Sequence, residues 1–260
     1  RRAGLLGRIR RLGNGREDDV VSLRVRPRPD RCLENELLRG CDYVGGLDEV
    51  GRGALAGPVS VGLAVVGRRT DDAFPDGLAD SKQLTARART GLIEPVRDWL
   101  VDCAVAHASP AEIDERGIVG ALRLAGLRAL KQVNARGHAP GVIILDGVAD
   151  WLTAPQPDLL TALDDRQPPE PVLDPAAGPP SPPVRMEVKA DARCAVVAAA
   201  SVLAKVERDS LMACLDDPGY GWASNKGYAS PAHIKALTEL GASNQHRCSW
   251  HLPGLDQHEG

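Results

Sequence analysis

The stretch YVGGLDEVGRGALAGPVSVGLAVV, residues 43–66, predicts two strands of a sheet and the connection between them. Residues 43–48 form a short apolar segment, and residues 58–66 form a longer one that is rich in valine, which favours extended backbone. Residues 51–57 contain three glycines, and glycine tolerates the backbone angles of a tight or bulged reversal. We therefore predict that the chain reverses direction between the two strands.

Three further segments have the composition of strands. Residues 101–107 alternate in polarity, and residues 184–188 predict a shorter strand. Residues 142–146, VIILD, are a continuous apolar run that ends in an aspartate, which is typical of a strand buried on both faces. The spacing of apolar residues predicts helices over 110–134 and 192–212. The expected fold class is α/β, with a mixed five-stranded sheet flanked by helices.

The composition is that of an ordinary globular protein. The 260 residues are 43% apolar and 26% charged, and their net charge of −3 excludes histone-like binding by bulk charge. No apolar run reaches the ~20 residues that a membrane span requires, so we predict no contact with a membrane. The six cysteines include no CxxC pair, and no export signal is recognisable, so we expect free thiols and a cytoplasmic location.

Two segments have a biased composition. Residues 1–31 contain ten arginines and four acids, and we interpret residues 1–40 as a basic, largely disordered extension. A functional arm and a misassigned start of the chain are equally compatible with that composition. Residues 154–183 hold ten of the twenty prolines, which excludes a helix or a central strand and predicts an exposed insertion.

Four acids stand where predicted strands or helices begin or end. Asp48 and Glu49 close the first strand, Asp146 closes the fourth, and Asp191 precedes the long helix. Each has an ordinary explanation as a turn residue, a helix cap or a solvated surface group. If the first and fourth strands are neighbours, however, their carboxylates share one sheet edge and repel each other unless cations hold them. Oxygen ligands without histidine or cysteine favour Mg²⁺ or Mn²⁺, and two such ions support phosphodiester chemistry.

The sequence around these acids closely resembles the type 2 ribonucleases H, specifically the bacterial ribonuclease HII family. The similarity covers about residues 41–252. The motifs that carry it, in chain order, are GLDEVGRGALAGPV at 46–59, DSKQL at 80–84, LDG at 145–147, KAD at 189–191, AAASVLAKVERD at 198–209, YGW at 220–222, NKGY at 225–228 and HRCSW at 246–250. Ala190 and Asn225 stand where the family commonly has glycine and histidine.

The resemblance implies a metal-dependent endonuclease that hydrolyses RNA in RNA–DNA hybrids. It also implies incision of duplex DNA on the 5′ side of an embedded ribonucleotide, which leaves 3′-hydroxyl and 5′-phosphate ends and serves ribonucleotide and RNA primer removal. The implied catalytic residues are Asp48, Glu49, Asp146 and Asp191, which bind two divalent cations, Mg²⁺ or Mn²⁺. Asp48 is the residue expected to bridge both ions.

The same resemblance implies the substrate-binding residues. Gly51, Arg52 and Gly53 would contact the 2′-hydroxyl through their backbone, although a simple hairpin turn explains these glycines as well. Tyr228 would stack on the deoxyribose that follows the ribonucleotide, and its alternative is a structural aromatic. The phosphate-binding candidates are Lys82 and Lys226, with Lys205 and Arg247 as further candidates.

The resemblance also implies a division of the chain. Residues 41–215 would form the ribonuclease H-like catalytic domain, and residues 216–260 a small helical substrate-binding region with its tail. The expected partners are RNA–DNA hybrids and ribonucleotide-containing duplex DNA, with no obligate protein partner. Two other functions remain as alternatives, namely a catalytically inactive hybrid-binding module and a metal-dependent DNA exonuclease or resolvase on the same fold.

Overall fold

A computed structural model describes residues 28–154 and 181–255. The predicted mixed five-stranded sheet is confirmed, with the strand order β3-β2-β1-β4-β5. The strands are β1 (Tyr43–Val50), β2 (Val59–Gly67), β3 (Asp102–Ala108), β4 (Val142–Asp146) and β5 (Val184–Glu187). Strands β1, β2 and β3 pair antiparallel, whereas β4 is parallel to β1 and β5 is parallel to β4.

Helices cover both faces of this sheet. Along the chain they are α1 (Cys32–Leu37), α2 (Ala86–Trp99), α3 (Pro110–Ala135), α4 (Ala190–Arg193), α5 (Ala195–Cys214), α6 (Trp222–Asn225) and α7 (Pro231–Leu240), and a single 3-10 turn spans Ser81–Gln83. Helix α3 packs on one face of the sheet, and α2 and α5 pack on the other.

The two long helices follow the sequence prediction closely, and α2 was not predicted. Leu92 and Val96 of α2 are buried, and Ile93 and Trp99 pack against the same core, but this apolar stripe is confined to the second half of the helix and Pro95 lies within it. Its clearest local signal is Thr85, whose hydroxyl accepts a hydrogen bond from the amide of Ala88 at 3.2 Å and so caps the first turn. In α3 the chain kinks at Gly117, where φ is +67°.

Two glycines allow α5 to lie against the backbone of the central strands. A Cβ atom at Gly46 would lie 2.7 Å from the carbonyl carbon of Val196, and one at Gly62 would lie 2.4 Å from the carbonyl oxygen of Ala200. Gly62 is the cross-strand partner of Asp48, so the close approach of α5 covers the end of β1. The predicted start of this helix at 192 was three residues early, because the short α4 ends at Arg193 before α5 begins.

Residues 28–40, the described part of the predicted N-terminal extension, are folded onto the sheet. The amide of Asp30 donates to the carbonyl of Arg193 at 2.8 Å, and α1 follows directly. Glu34 of α1 is completely buried, and its carboxylate accepts a hydrogen bond from the amide of Val196 at 3.0 Å, in the first turn of α5. The prediction of a largely disordered segment is therefore wrong for 28–40, because a contact across 162 positions leaves no local pattern.

Residues 216–255, which follow the last strand and α5, form a small helical unit, as predicted. Tyr220, Trp222 and Leu237 pack together with Leu55 and Met212, which belong to the preceding part of the chain. The boundary between 215 and 216 remains a prediction. Most of the basic extension, 1–27, and most of the Pro-rich insertion, 155–180, lie outside the described residues. Within the described parts of the chain, no helix is both long enough and apolar enough to cross a membrane.

Candidate active site

Three of the four predicted metal ligands meet at one edge of the sheet. The parallel pairing of β1 and β4 ends at Leu47 and Leu145, and each strand continues with an aspartate, Asp48 in β1 and Asp146 in β4. The condition set by the sequence, that the first and fourth strands be neighbours, is therefore met. Glu49 follows Asp48 on the same strand, so it extends the acidic group toward the connection to β2.

Asp48 is almost completely buried, with an exposed fraction of 6%. Its pKa is raised to about 7, first by burial and then by the charges of Glu49 and Asp191, whereas a hydrogen bond with Ser201 and the charge of Lys82 act in the opposite direction. Ser201 lies on α5, whose close approach at Gly46 and Gly62 therefore also supplies a polar neighbour to Asp48. This carboxylate is desolvated while other acids surround it.

Asp191 reaches the same edge from α4. Its carboxylate lies 3.5 Å from the ammonium of Lys82, and burial followed by the charge of Asp146 raises its pKa. The Asp146 carboxylate accepts a hydrogen bond from the amide of Ala190 at 2.7 Å, which ties the end of β4 to the start of α4. Burial lowers the pKa of Lys82, but the charges of Asp48 and Asp191 outweigh burial, so its pKa is raised overall.

The chemistry of this donor set fits a divalent cation. All four predicted ligands supply carboxylate oxygens, which are the ligands that Mg²⁺ and Mn²⁺ prefer. Burial is the main cause of the raised pKa of Asp48, and a bound cation would stabilise its charged form. Among the described residues, no three acids, histidines or cysteines are already drawn together at the spacing of a closed metal site. The acids are therefore placed as an open group, which a cation would draw together.

An open cavity of about 370 Å³ lies in front of Asp48. Most of the predicted substrate-binding residues line this cavity. Its walls consist of Asp48, Glu49, Val50, Gly51, Arg52, Gly53, Ser81, Lys82, Ser201, Lys205 and Tyr228. The loop from Gly51 to Gly57, which we call the recognition loop, forms one wall, and Arg52 lies 3.4 Å from Glu49. A Cβ atom at Gly53 would meet nothing within 4 Å, so this stretch of backbone is open to an approaching ligand.

Two buried arginines hold the recognition loop in place. The Arg247 guanidinium donates to the carbonyl oxygens of Gly51 at 2.6 Å, Arg52 at 2.8 Å and Gly57 at 3.2 Å. Arg208 donates to the carbonyl of Pro58 at 2.8 Å. Within the described residues neither guanidinium forms an ion pair, and burial, followed by the charge of Arg208, lowers the pKa of Arg247 to about 10.

These contacts change the roles that the sequence indicated. Arg247 was a candidate for phosphate binding, but it is completely buried and its donors are used by the recognition loop. Arg208 was not singled out at all, because an arginine on a helix is usually solvated. A Cβ atom at Gly51, where φ is +82°, would lie 2.1 Å from the Arg208 Nε atom, so glycine is required there for the arginine to fit.

Tyr228 and Lys226 lie on the C-terminal side of the cavity. The Tyr228 ring is 38% exposed, and the Arg208 guanidinium lies 5.7 Å from its centre. Lys226 does not line the cavity, because its ammonium donates to the carbonyl oxygens of Ala223 at 2.7 Å and Asp209 at 3.2 Å. Of the predicted substrate residues, Lys226 and Arg247 are therefore the two that the structure does not bring to this surface.

Comparison with known proteins gives a consistent set of similarities. A family model described as Ribonuclease HII matches residues 45–252. A Ribonuclease HII from Streptomyces avermitilis is 43% identical over 234 residues, which cover 88% of this chain and 87% of that protein. The crystal structure of ribonuclease H2 from Pyrococcus horikoshii is similar with a TM-score of 0.54 and 26% identity, over 84% of this chain and 100% of that one.

A second archaeal structure was solved as a complex. The RNase HII of Archaeoglobus fulgidus, in its complex with PCNA, is similar with a TM-score of 0.54 and 26% identity, over 81% of this chain and 96% of that chain.

Proposed function

Because this chain belongs to the ribonuclease HII family, endonucleases that hydrolyse RNA in RNA–DNA hybrids, we propose that it also incises duplex DNA on the 5′ side of an embedded ribonucleotide. The proposed reaction depends on divalent cations, leaves 3′-hydroxyl and 5′-phosphate ends, and serves the removal of ribonucleotides and RNA primers. The observation that carries the proposal is the cavity that joins the buried Asp48 to the exposed backbone of the recognition loop. The proposed cleavage centre and the proposed sugar-binding surface are neighbours in this arrangement.

Asp48, Glu49, Asp146 and Asp191 are the proposed ligands of two Mg²⁺ or Mn²⁺ ions. When bound, such ions activate a water molecule and stabilise negative charge on the departing 3′ oxygen. The protein supplies oxygen donors from β1, β4 and α4, and the contacts to Ser201 and Ala190 hold Asp48 and Asp146 in place. Lys82, which is paired with Asp191 and lies at the cavity, would contact a substrate phosphate.

Recognition of the ribonucleotide is assigned to the backbone of Gly51, Arg52 and Gly53. A 2′-hydroxyl both donates and accepts hydrogen bonds, so backbone amides and carbonyls can distinguish it from the hydrogen of a deoxyribose. Arg247 supports this role because its three carbonyl contacts restrict the loop to one conformation. The absence of a side chain at Gly53 leaves space for the sugar to approach, whereas Gly51 makes room for the Arg208 side chain.

Tyr228 is assigned to the nucleotide that follows the ribonucleotide. Its ring is exposed at the cavity, and a deoxyribose fits closer to an aromatic face than a ribose does, because it lacks the 2′-hydroxyl. A phosphate role for Lys226 remains a prediction, and it would require the ammonium to leave two backbone carbonyls. A lack of obligate protein partners also remains a prediction, since the A. fulgidus relative was solved with PCNA.

The proposal is tested with three duplexes of the same sequence: one all-DNA, one with a single ribonucleotide, and one RNA–DNA hybrid. We expect cleavage of the hybrid and of the single-ribonucleotide duplex with Mg²⁺ or Mn²⁺, and no cleavage with a chelator. Extension of the cleaved strand by a DNA polymerase reports the 3′-hydroxyl. Binding without cleavage would identify an inactive hybrid-binding module, and cleavage of the all-DNA duplex would identify a DNA nuclease. Either result would overturn the proposal.

A further inference from the structure

Two histidines outside the cavity form a buried pair behind Tyr228. His233, in the first turn of α7, is completely buried, and His246 is 1% exposed. Their Nε2 atoms lie 3.0 Å apart, which is a hydrogen-bond distance. Two nitrogens bond each other only if one carries a proton and the other does not, so the pair must have a direction.

The outer nitrogens of the pair determine that direction. Nδ1 of His246 lies 3.0 Å from the backbone amide of Ser243, which can only donate, so this Nδ1 is an acceptor and the His246 proton is on Nε2. His246 Nε2 therefore donates to His233 Nε2, and the His233 proton is on Nδ1. That Nδ1 lies 2.9 Å from the carbonyl oxygen of Tyr228, which can only accept. The contact with Ser243 and the contact with Tyr228 each require these same proton positions.

Both rings are neutral in this arrangement, and their surroundings favour the neutral state. Aromatic rings surround the pair, since Tyr220 lies 4.6 Å from His246 and 5.9 Å from His233, and Trp222 lies 5.9 Å from His246. Burial, followed by the proximity of His233, lowers the pKa of His246 to about 4. The chain of hydrogen bonds from Ser243 to Tyr228 therefore needs no ionised group.

The far end of this chain holds the segment that carries the Tyr228 ring. The Tyr228 carbonyl accepts from His233 and from the amide of Ser230 at 2.8 Å, and the adjacent Gly227 carbonyl accepts from the amide of Leu55 at 2.8 Å. Leu55 belongs to the recognition loop. The histidine pair is thus hydrogen-bonded to Tyr228, and the adjacent Gly227 is hydrogen-bonded to the recognition loop, although neither histidine lines the cavity.

We propose that His233 and His246 are positioning residues, which hold the Tyr228 ring at the distance from the recognition loop that a ribonucleotide followed by a deoxyribonucleotide requires. This inference rests on the proposed function of Tyr228 at that junction. The pair acts through the Tyr228 carbonyl and does not touch nucleic acid. Its loss would reduce the preference for the junction while leaving the carboxylates and Lys82 in place.

Two substitutions at His233 separate positioning from packing. In His233→Asn, the amide nitrogen occupies the place of Nδ1 and keeps the donor to Tyr228, whereas in His233→Gln it reaches the place of Nε2 and that donor is lost. The measurement is the ratio of kcat/KM on a single-ribonucleotide duplex to kcat/KM on a long hybrid. We expect a fall of about fivefold or more in this ratio for His233→Gln, as a lost hydrogen bond of ~1 kcal/mol gives, and less than twofold for His233→Asn.

A double substitution and the histidine tautomers complete the test. In a Tyr228→Ala background, His233→Gln should cause no further change in the ratio. Nitrogen NMR of the wild-type protein should show the proton on Nδ1 of His233 and on Nε2 of His246, which does not depend on any variant folding. The opposite tautomers, or an unchanged ratio in folded His233→Gln when Tyr228→Ala does change it, would overturn the proposal. A wild-type protein that does not incise at a single ribonucleotide would instead contradict the proposed function.

Discussion

The carboxylates at the sheet edge and a second group of buried side chains, here called the clamp, differ in the partners of their polar atoms. At the edge, Asp48 is buried beside other acids, and burial is the main cause of its raised pKa. In the clamp, defined here as Arg208, Arg247, His233 and His246, backbone groups take up the polar atoms of the side chains. The acids at the edge therefore remain available to a cation, whereas the polar atoms of the clamp already have partners within the protein.

The two groups of side chains have different proposed roles, namely cation binding at the edge and support of the recognition loop in the clamp. Groups that bind cations must be available, so they tolerate repulsion in the free protein, as active sites often do. Groups that recognise a sugar must be held in one geometry, because a misplacement of about 1 Å lowers the rate of catalysis. Arg247 meets the second requirement with donors to three carbonyls of one loop.

The largest expected effect is the loss of cleavage in Asp48→Asn. Asparagine keeps the shape of the side chain but removes the charge that would bind a cation, so we expect hybrid cleavage to fall by ~10³-fold or more in Mg²⁺. Asp42→Asn is the matched control, because Asp42 is exposed and lies just before the opposite end of the same strand. Single-turnover assays measure both variants. Retention of a tenth of wild-type activity by Asp48→Asn would exclude Asp48 as an essential ligand.

The same substitution should stabilise the metal-free protein at neutral and alkaline pH. The pKa of Asp48 is raised from 3.8 to about 7, so the unfolded chain ionises first and stability is lost as the pH rises from 3.8 through 7. At pH 8 with a chelator, we expect Asp48→Asn to have a higher free energy of unfolding than the wild type, by up to about 4 kcal/mol. Urea unfolding at pH 8 and pH 4 checks this, and an equal difference at both pH values would contradict it.

Acid should weaken the clamp through His246. Its pKa is lowered from 6.5 to about 4, so the unfolded chain takes up the proton first and stability is lost as the pH falls from 6.5 to 4. We expect His246 to account for up to about 3 kcal/mol of that loss. His246→Gln should flatten the dependence of the free energy of unfolding on pH in this window, whereas His251→Gln, at an exposed histidine, should leave it unchanged. Parallel profiles for His246→Gln and the wild type would refute the assignment.

The smallest expected effect is that of Arg247→Lys on ribonucleotide incision. Lysine keeps the charge, but its ammonium cannot reach three carbonyls in the geometry of a planar guanidinium. We expect kcat/KM on a single-ribonucleotide duplex to fall about tenfold, equivalent to ~1.4 kcal/mol. Arg136→Lys is the matched control, because Arg136 pairs with Asp102 at 2.8 Å at the far end of β3. If both variants retained wild-type kcat/KM, the loop would not need Arg247 for its conformation.

Local patterns were sufficient for most of the sheet and for the positions of Asp48 and Asp146 at the ends of neighbouring strands. The apolar run before Asp146 identified a central strand, and its terminal aspartate identified one of the acids at the sheet edge. The prediction failed where the local pattern was weak, as in α2, or where a side chain had a distant partner, as with Glu34 in α1. Lys226 shows the same limit, since the family resemblance implied phosphate binding while its ammonium bonds two backbone carbonyls.

The amino-acid sequence by itself determined the strands, the long helices and the family, and it identified the four acids as candidate ligands. Each of these depends on residue type and spacing within short segments. Only the tertiary structure decided how buried Asp48 is, since that depends on the approach of α5 to Gly46 and Gly62. It also decided that Arg247 supports a loop that lies 195 positions away at Arg52. The energy of a buried charge or hydrogen bond depends on what surrounds it, and those surroundings come from parts of the chain that no local pattern connects.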